Sequence, residues 1–445
     1  MPDYASGLIL GFEPAWVALV ILLVVYATIM MEKFNRAVLS LLGAGLMILC
    51  GVLTQERAIA GIDFNTIGLL TGMMIIVAIS QKTGMFQYVA IRAAKAAKGD
   101  PWWILVSLSL VTAIFSAFLD NVTTVLLIAP VTLLITDVLG IKPYPFLFAQ
   151  ILASNIGGTA TLIGDPPNIM IGSQAHLSFM DFLLNLAPII PLILLITLIP
   201  IWLLFGKGMK ADVEARAMMM KFNEKETIKD IPLLKKSLLV LFMVIGGFTI
   251  SHSFHLEPAT IALFGAALLL LLQTWGEDLS TKDSSYHSVM GDVEWTTIFF
   301  FVGLFIIVTG VEHTGIIAWM AEKTLEMTGG DFDATVGAIL WISAIVSALI
   351  DNIPFVATMI PLIENMGPSF GGGDALQPLW WALALGACLG GNGSLIGASA
   401  NLIVAGFAQR AGHPIGFLQF AKHAFLLMLL SVLIAHAYIY LRYLN

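Results

Sequence analysis

Two stretches, Pro14–Met31 and Ala187–Phe205, run for 18 and 19 residues without a charged side chain. A helix needs about 20 apolar residues to cross a bilayer core. Similar runs recur along the 445 residues, of which 58% are hydrophobic and only 11% charged; an ordinary soluble protein has about 25% charged residues. The chain therefore reads as an all-α polytopic membrane protein. Asp3 and Glu13 precede the first run without any basic residue, which argues against a cleaved signal peptide. The net charge of −8 says little about partners, because charge is partitioned between the two sides of a membrane, and nothing indicates nucleic acid. Two cysteines, Cys50 and Cys388, are too few for a disulfide framework or a thiolate metal cluster.

The chain also matches itself. An offset of 231 residues carries "SAFLDNVTTVLLIAP" (Ser116–Pro130) onto "SALIDNIPFVATMIP" (Ser347–Pro361), and Thr83-Gly84 onto Thr314-Gly315. At an offset of 233, "IGGTATLIGDPPN" (Ile156–Asn168) falls on "LGGNGSLIGASAN" (Leu389–Asn401) with six identities. "AVLSLLGAG" from Ala37 matches "ATIALFGAA" from Ala259. Ordered matches in four blocks, several of them polar, point to an internal repeat rather than to the shared oiliness of two sequences.

Each half reads as five spans plus one re-entrant hairpin. Half one (1–205) has spans near 8–30, 37–53, 64–80, 146–175 and 180–204 and a hairpin over 101–139. Half two (237–445) has its hairpin near 332–366, and the broken helices are expected near 146–175 and 378–405. This arrangement puts 18 of the 21 lysines and arginines on one face, leaving Arg57, Lys323 and Arg442 on the other. The positive-inside rule makes the crowded face cytoplasmic, with both termini outside. An odd number of spans inverts the second half, the plan on which many secondary transporters are built. Met85–Lys98 alternates apolar and basic residues as an interfacial helix does. The segment 206–236, with eight basic and five acidic residues, reads as a solvated cytoplasmic linker. No soluble domain for ATP hydrolysis is evident.

Four polar islands interrupt the hydrophobic runs. In "NIGGTATLIGDPPN", Gly157-Gly158 and Pro166-Pro167 should break a helix, and unpaired backbone at membrane depth survives only inside protein or beside a cavity. That break offers Asn155, Thr159, Thr161, Asp165 and Asn168; its counterpart offers Asn392, Ser394 and Asn401. Close helix packing would explain the glycines, though not an aspartate and two asparagines beside them. The other islands are Asp120, Asn121, Thr123 and Thr124 in "DNVTT", and Asp351 and Asn352 in "DNIPF". An ionisable group at that depth is functional by default. Asp120, Asp351 and Asp165 are the candidate proton carriers, and a carboxylate beside an amide also suits a hard cation. N-capping of the second hairpin arm is the structural alternative for Asp120 and Asp351, and capping ahead of Pro166 for Asp165. Asp165 stands out because its repeat partner is Ala398. The eight histidines show no ligand spacing around a shared acid, and Cys388 reads as a small buried residue.

"DNVTTVLLIAPVT", followed some thirty residues on by "NIGGTATLIGDPPNIMI", resembles the ion transporter superfamily. The nearest resemblance is to ArsB-type arsenite and antimonite permeases and pink-eyed-dilution P proteins, with NhaD-type sodium/proton antiporters as relatives. The resemblance covers essentially the whole chain. It implies ten spans, two hairpins, and a site between hairpin tips and broken helices at Asp120–Thr124, Asn155–Asn168, Asp351–Phe355 and Cys388–Asn401. Citrate and dicarboxylate members usually carry Ser-Asn-Thr at the tips, whereas this chain has Asp-Asn-Val and Asp-Asn-Ile. Two carboxylates repel a dianion, and neither island holds a lysine or arginine to offset them.

The expected activity is proton-coupled efflux of arsenite or antimonite by alternating access across the plasma membrane. Sodium/proton antiport is the alternative. No cofactor is expected beyond a proton or Na+ gradient, and the partners are the small solute, the coupling ion and lipid. A homodimer and a separate ATPase subunit on the linker stay open. An intramembrane aspartyl protease would need its two aspartates to share a proton and resembles a Gly-x-Gly-Asp signature that neither Asp120 nor Asp351 occupies.

Overall fold

In lipid only internal hydrogen bonding satisfies the backbone, so uncharged runs become helices. The computed structural model of the chain describes residues 11–31, 33–276 and 278–444. Its elements are α1 (Pro14–Met30), α2 (Arg36–Leu49), α3 (Gln55–Ala60), α4 (Phe64–Lys82), α5 (Met85–Ala96), α6 (Pro101–Phe118), α7 (Asn121–Val138), α8 (Tyr144–Gly158), α9 (Pro166–Gln174), α10 (Phe179–Asn185) and α11 (Ile190–Phe205). After α12 (Val213–Lys221) come α13 (Ile231–Ile250), α14 (Pro258–Thr274), α15 (Leu279–Gly291), α16 (Trp295–His313), α17 (Ile316–Met327), α18 (Phe332–Leu349), α19 (Asn352–Met366), α20 (Gln377–Gly390), α21 (Ser399–Arg410) and α22 (Phe417–Tyr443). Among the described residues, eight helices are long and apolar enough to cross a membrane. The molecule is an all-helical, multi-pass membrane protein.

Its surface fits that solvent. Leu195, Ile199, Phe242, Met243, Leu426 and Leu433 are exposed on α11, α13 and α22, where large apolar side chains belong against lipid tails. By contrast α8 is buried from Phe146 through Gly158, and α20 from Leu379 through Gly390. The polar islands therefore lie in the protein interior.

Related contacts occur in both halves. α2 packs on α16 and α4 on α14, so each half's second and fourth helices find their main partners in the other half. Glycine permits the approach. A β-carbon at Gly72 would lie 2.6 Å from the Ala262 backbone, and one at Gly303 2.5 Å from the Ser40 backbone. α6 packs on α8 and α18 on α20. There a β-carbon at Gly157 would lie 2.2 Å from the Ala113 backbone, and one at Gly390 2.5 Å from Ala344. Each hairpin arm α7 and α19 contains a proline, Pro130 or Pro361, at the repeat offset.

Two expectations need correction. The span expected over 180–204 is two helices, α10 and α11, separated at 186–189. Pro188 lies in that gap and Pro191 at the start of α11, and the ring removes a donor and clashes with the preceding turn. Its counterpart α22 is one helix of 27 residues. Residues 8–10 of the first expected span lie outside the described residues. The linker is not simply solvated. Met219 on α12 is buried, Lys95 Nζ donates to Glu224 at 2.6 Å and to the Phe222 carbonyl at 2.8 Å, and Arg92 donates to Glu224 at 3.2 Å. The amphipathic α5 thus buries Phe86, Ala90, Ile91 and Ala94 and offers its basic residues to the linker.

The hydrogen bond from Lys95 holds the Glu224 carboxyl down at about 2. A depressed carboxyl stabilises the docked linker above its unfolded value, and that contribution disappears as pH falls through the folded value. Limited pepsin digestion of the linker, normalised to an unstructured control peptide, should therefore accelerate as pH drops from about 4.5 toward 2, and tryptic cleavage at Lys221 and Lys225 should accelerate at neutral pH in Glu224→Gln. For the helix crossing, Gly72→Val should lower stability by about 1–3 kcal/mol through overpacking. Gly246→Ala, which meets no atom within 4 Å, should leave the thermal midpoint in detergent nearly unchanged.

Candidate functional site

The site forms where the hairpin tips meet the broken helices. At the first tip the chain leaves α6 and re-enters a helix at Asp120, whose carboxylate accepts from the Thr123 N–H at 2.7 Å and from the Thr123 hydroxyl. At the second, Asp351 accepts from the Ile353 N–H at 3.0 Å. Each tip is sewn to a break. The Asn121 N–H donates to the Gly164 carbonyl at 3.1 Å, and the Asn352 N–H to the Gly397 carbonyl at 3.3 Å. The hairpins also cross between halves, α19 against α9 and α21 against α7.

Each break frees backbone carbonyls, and an asparagine gathers them. Asn168 Nδ2 donates to the carbonyls of Gly158, Thr159 and Thr161 at 3.3, 3.2 and 2.9 Å. Asn401 Nδ2 donates to those of Gly391 and Ser394, both at 2.8 Å. Hydroxyls close the remainder. Thr159 donates to the Asn155 carbonyl at 2.7 Å, Thr161 to the Ala117 carbonyl, and Ser394 accepts from the N–H groups of Ile396 and Gly397 at 3.2 Å. These side chains hold the irregular backbone in place.

Asn155 joins the two breaks. Its Nδ2 donates to Asn392 and Asn401 Oδ1, each at 2.9 Å, and its Oδ1 accepts from Asn121 Nδ2 at 3.1 Å. Three buried atoms of this region have no partner: the acceptors Asn121 Oδ1 and Thr124 Oγ1, and the donor Asn392 Nδ2. Buried polar groups are rarely left so, which makes the three atoms candidate ligand contacts.

The three aspartates differ. Asp120 caps α7. Asp351 caps α19 and also faces Arg36, with Nη1 3.7 Å from Oδ2. Asp165 opens α9 but makes no capping bond; instead Asn352 Nδ2 of the other half lies 3.4 and 3.5 Å from its two oxygens. It is 1% exposed, and among the described residues no lysine, arginine or histidine pairs with it. The capping alternative therefore holds for the two tip aspartates and fails for Asp165.

Sequence reasoning missed Arg36, Thr297 and Ser399. Arg36 Nη1 donates to the Ser399 hydroxyl, Nη2 donates to Thr297 at 2.8 Å, and Ser399 donates to Asp351 at 2.9 Å. Neither island holds a lysine or arginine, yet Asp351 gains a cation from Arg36, a residue 315 positions away. The missed signal was a single arginine opening a membrane helix, which the charge pattern assigned to a loop. Cys388 is buried, and its thiol lies 3.4 Å from Asn168 Oδ1.

A helical membrane protein with polar breaks joined at its centre is a transporter scaffold, and the comparisons agree. Residues 26–386 match the family described as Citrate transporter, and the chain belongs to that family of membrane transporters. It is 43% identical over 431 residues to an uncharacterized transporter of Mycobacterium tuberculosis, covering 96% of this chain and 98% of that one. A 46 kDa membrane protein of Mycobacterium leprae is 41% identical over 432 residues, covering 96% and 99%. The human P protein is 33% identical over 504 residues, which cover 95% of this chain and 59% of the P protein. The crystal structure of the YdaH transporter of Alcanivorax borkumensis shares the fold, with a TM-score of 0.53 at 13% identity, covering 97% of this chain and 99% of that one.

Replacing Asn401 by alanine would strand two buried carbonyls. The expected loss is about 1–3 kcal/mol, read as a lower unfolding midpoint in detergent, and Asn168→Ala should behave alike.

Proposed function

We propose that this chain is a proton-coupled secondary transporter that works by alternating access, with Asp165 as the proton carrier. The burial of Asp165 between the two halves, without a cation, carries the reading. Insertion scales put an aspartate at membrane depth about 3 kcal/mol uphill, so it is retained either neutral or holding a transported ion. The hairpins and broken helices would move against a scaffold of α2, α4, α14 and α16, with the second half inverted relative to the first. Asp120, Asn121, Thr123, Thr124, Asn155, Thr159, Thr161, Asn168, Asp351, Asn352, Asn392, Ser394 and Asn401 would shape the site.

The proposed substrate is a small neutral hydroxylated solute, with arsenite and antimonite as the test compounds. The unpaired donor of Asn392 and the unpaired acceptors of Asn121 and Thr124 suit hydroxyl groups, which both donate and accept. A free tricarboxylate needs fixed positive charge, and Arg36 beside the site is already engaged by Asp351. Sodium/proton antiport is the second reading, favoured by the oxygens of Asp165, Asn121 and Thr124 as hard ligands.

Inverted membrane vesicles, energised acid inside, separate these readings. The expected result is arsenite or antimonite uptake that collapses with the gradient, ignores Na+, and drops to background in Asp165→Asn at unchanged protein level. Sodium-triggered proton release without metalloid uptake would establish the antiporter instead. Gradient-driven citrate release from preloaded vesicles would return the chain to its family's described substrate. Wild-type flux in Asp165→Asn would remove that aspartate from the mechanism.

A further inference from the structure

The two tip aspartates are repeat partners in sequence and unequal in surroundings. Asp351 faces the Arg36 guanidinium, whose own position is fixed three ways. It donates to Thr297 on α16, donates to Ser399 at the start of α21, and lies 5.2 Å from the centre of the Phe300 ring. Ser399 in turn donates to Asp351 at 2.9 Å. The cluster borders a cavity of about 200 Å³ lined by Tyr26, Phe34, Arg36, Asp351, Pro354 and Leu402. Side-chain exposures of 22% and 13% for Arg36 and Asp351 put the pair at the cavity wall rather than in bulk solvent.

None of these partners is available to Asp120. The repeat offset that matches Ala37 with Ala259 puts Pro258 opposite Arg36, and the offset of the breaks puts Pro166 opposite Ser399. A proline has neither a guanidinium nor a hydroxyl. Asp120 is left with its cap bonds to Thr123, and the charged side chains that act on it are acidic, Glu294 ahead of α16 and, at longer range, Asp165 from the first break. The charged groups facing Asp351 are Arg36 from α2 and, at longer range, Asp165 from the first break. One half therefore carries a fixed counter-charge and the other does not.

We propose that Arg36 is a built-in counter-cation that holds Asp351 out of the coupling cycle, so that a fold with two related tip aspartates couples through its first half alone. This rests on the proton-coupled reading and adds to it the residue that sets the proton count. The guanidinium and the Ser399 hydroxyl both face Asp351 Oδ2, where a second coupling ion would otherwise bind. Removing the guanidinium frees that oxygen. Arg36 is a positioning residue here and touches no solute.

The test compares wild type, Arg36→Gln, Arg36→Lys, Asp351→Asn and the Arg36→Gln/Asp351→Asn double variant in two measurements. The first needs no substrate: an infrared titration of the protonated-carboxyl band in purified protein, in Na+-free buffer. Arg36→Gln should gain one protonated-carboxyl band that is absent from wild type, Arg36→Lys and the double variant. The second is the ratio of protons to solute in proteoliposomes, which Arg36→Gln should raise by one and the double variant should restore. Asp351→Asn keeps the cap of α19, because asparagine caps as well as aspartate. It should hold the wild-type ratio whatever its rate. No additional carboxyl in Arg36→Gln, or a reduced ratio in Asp351→Asn, overturns the proposal. If Arg36→Gln does not fold, the Asp351→Asn ratio alone decides it. An additional carboxyl in Arg36→Gln, together with a wild type that moves no protons with any solute, would refute the transport reading and leave the counter-cation in place.

Discussion

The rest of the site depends on one requirement: carbonyls freed by a helix break inside a membrane protein must find donors. Asn168 and Asn401 meet it with single side-chain amides that reach back seven to ten residues. With those carbonyls satisfied, the breaks can sit at the centre of the molecule, where irregular backbone would otherwise cost several kcal/mol per group. Asn155 then has its full hydrogen-bonding capacity for its neighbours and ties the two breaks together.

On this shared frame the halves have diverged at a few positions. Asp165 stands opposite Ala398, Asn155 opposite Cys388, and Thr159 opposite Asn392 at the offset of the breaks. The backbone contacts are duplicated while several of the polar side chains beside them are not.

Much of the fold was legible because its signals are local. Glycine pairs, proline pairs and Asp-Asn at matched offsets marked the helix interruptions at 119–120, 159–165, 350–351 and 391–398, since helix interruption is a property of a few consecutive residues. The polar residues that gather in the interior were legible for the same reason: membrane depth makes any such residue conspicuous. What escaped was non-local. Arg36 reaches Asp351 through folding alone, and a basic residue at a helix start looks the same whether it faces water or a buried carboxylate. The division of α10 from α11 was missed because the apolar run continues through it, with Pro188 and Pro191 as the clues. The linker was read as solvated since its charges mask one buried methionine and a glutamate paired with two bases.

The crossed pairing of α2 with α16 and α4 with α14 has a consequence for biosynthesis. Gly72 presents a bare backbone groove that only α14 fills, and Gly303 one that only α2 fills. When the first half leaves the ribosome, α6 can already pack on α8, but the surfaces of α2 and α4 that take α16 and α14 have no occupant, and lipid must stand in until the second half is made. Insertion and assembly are therefore separate stages in time.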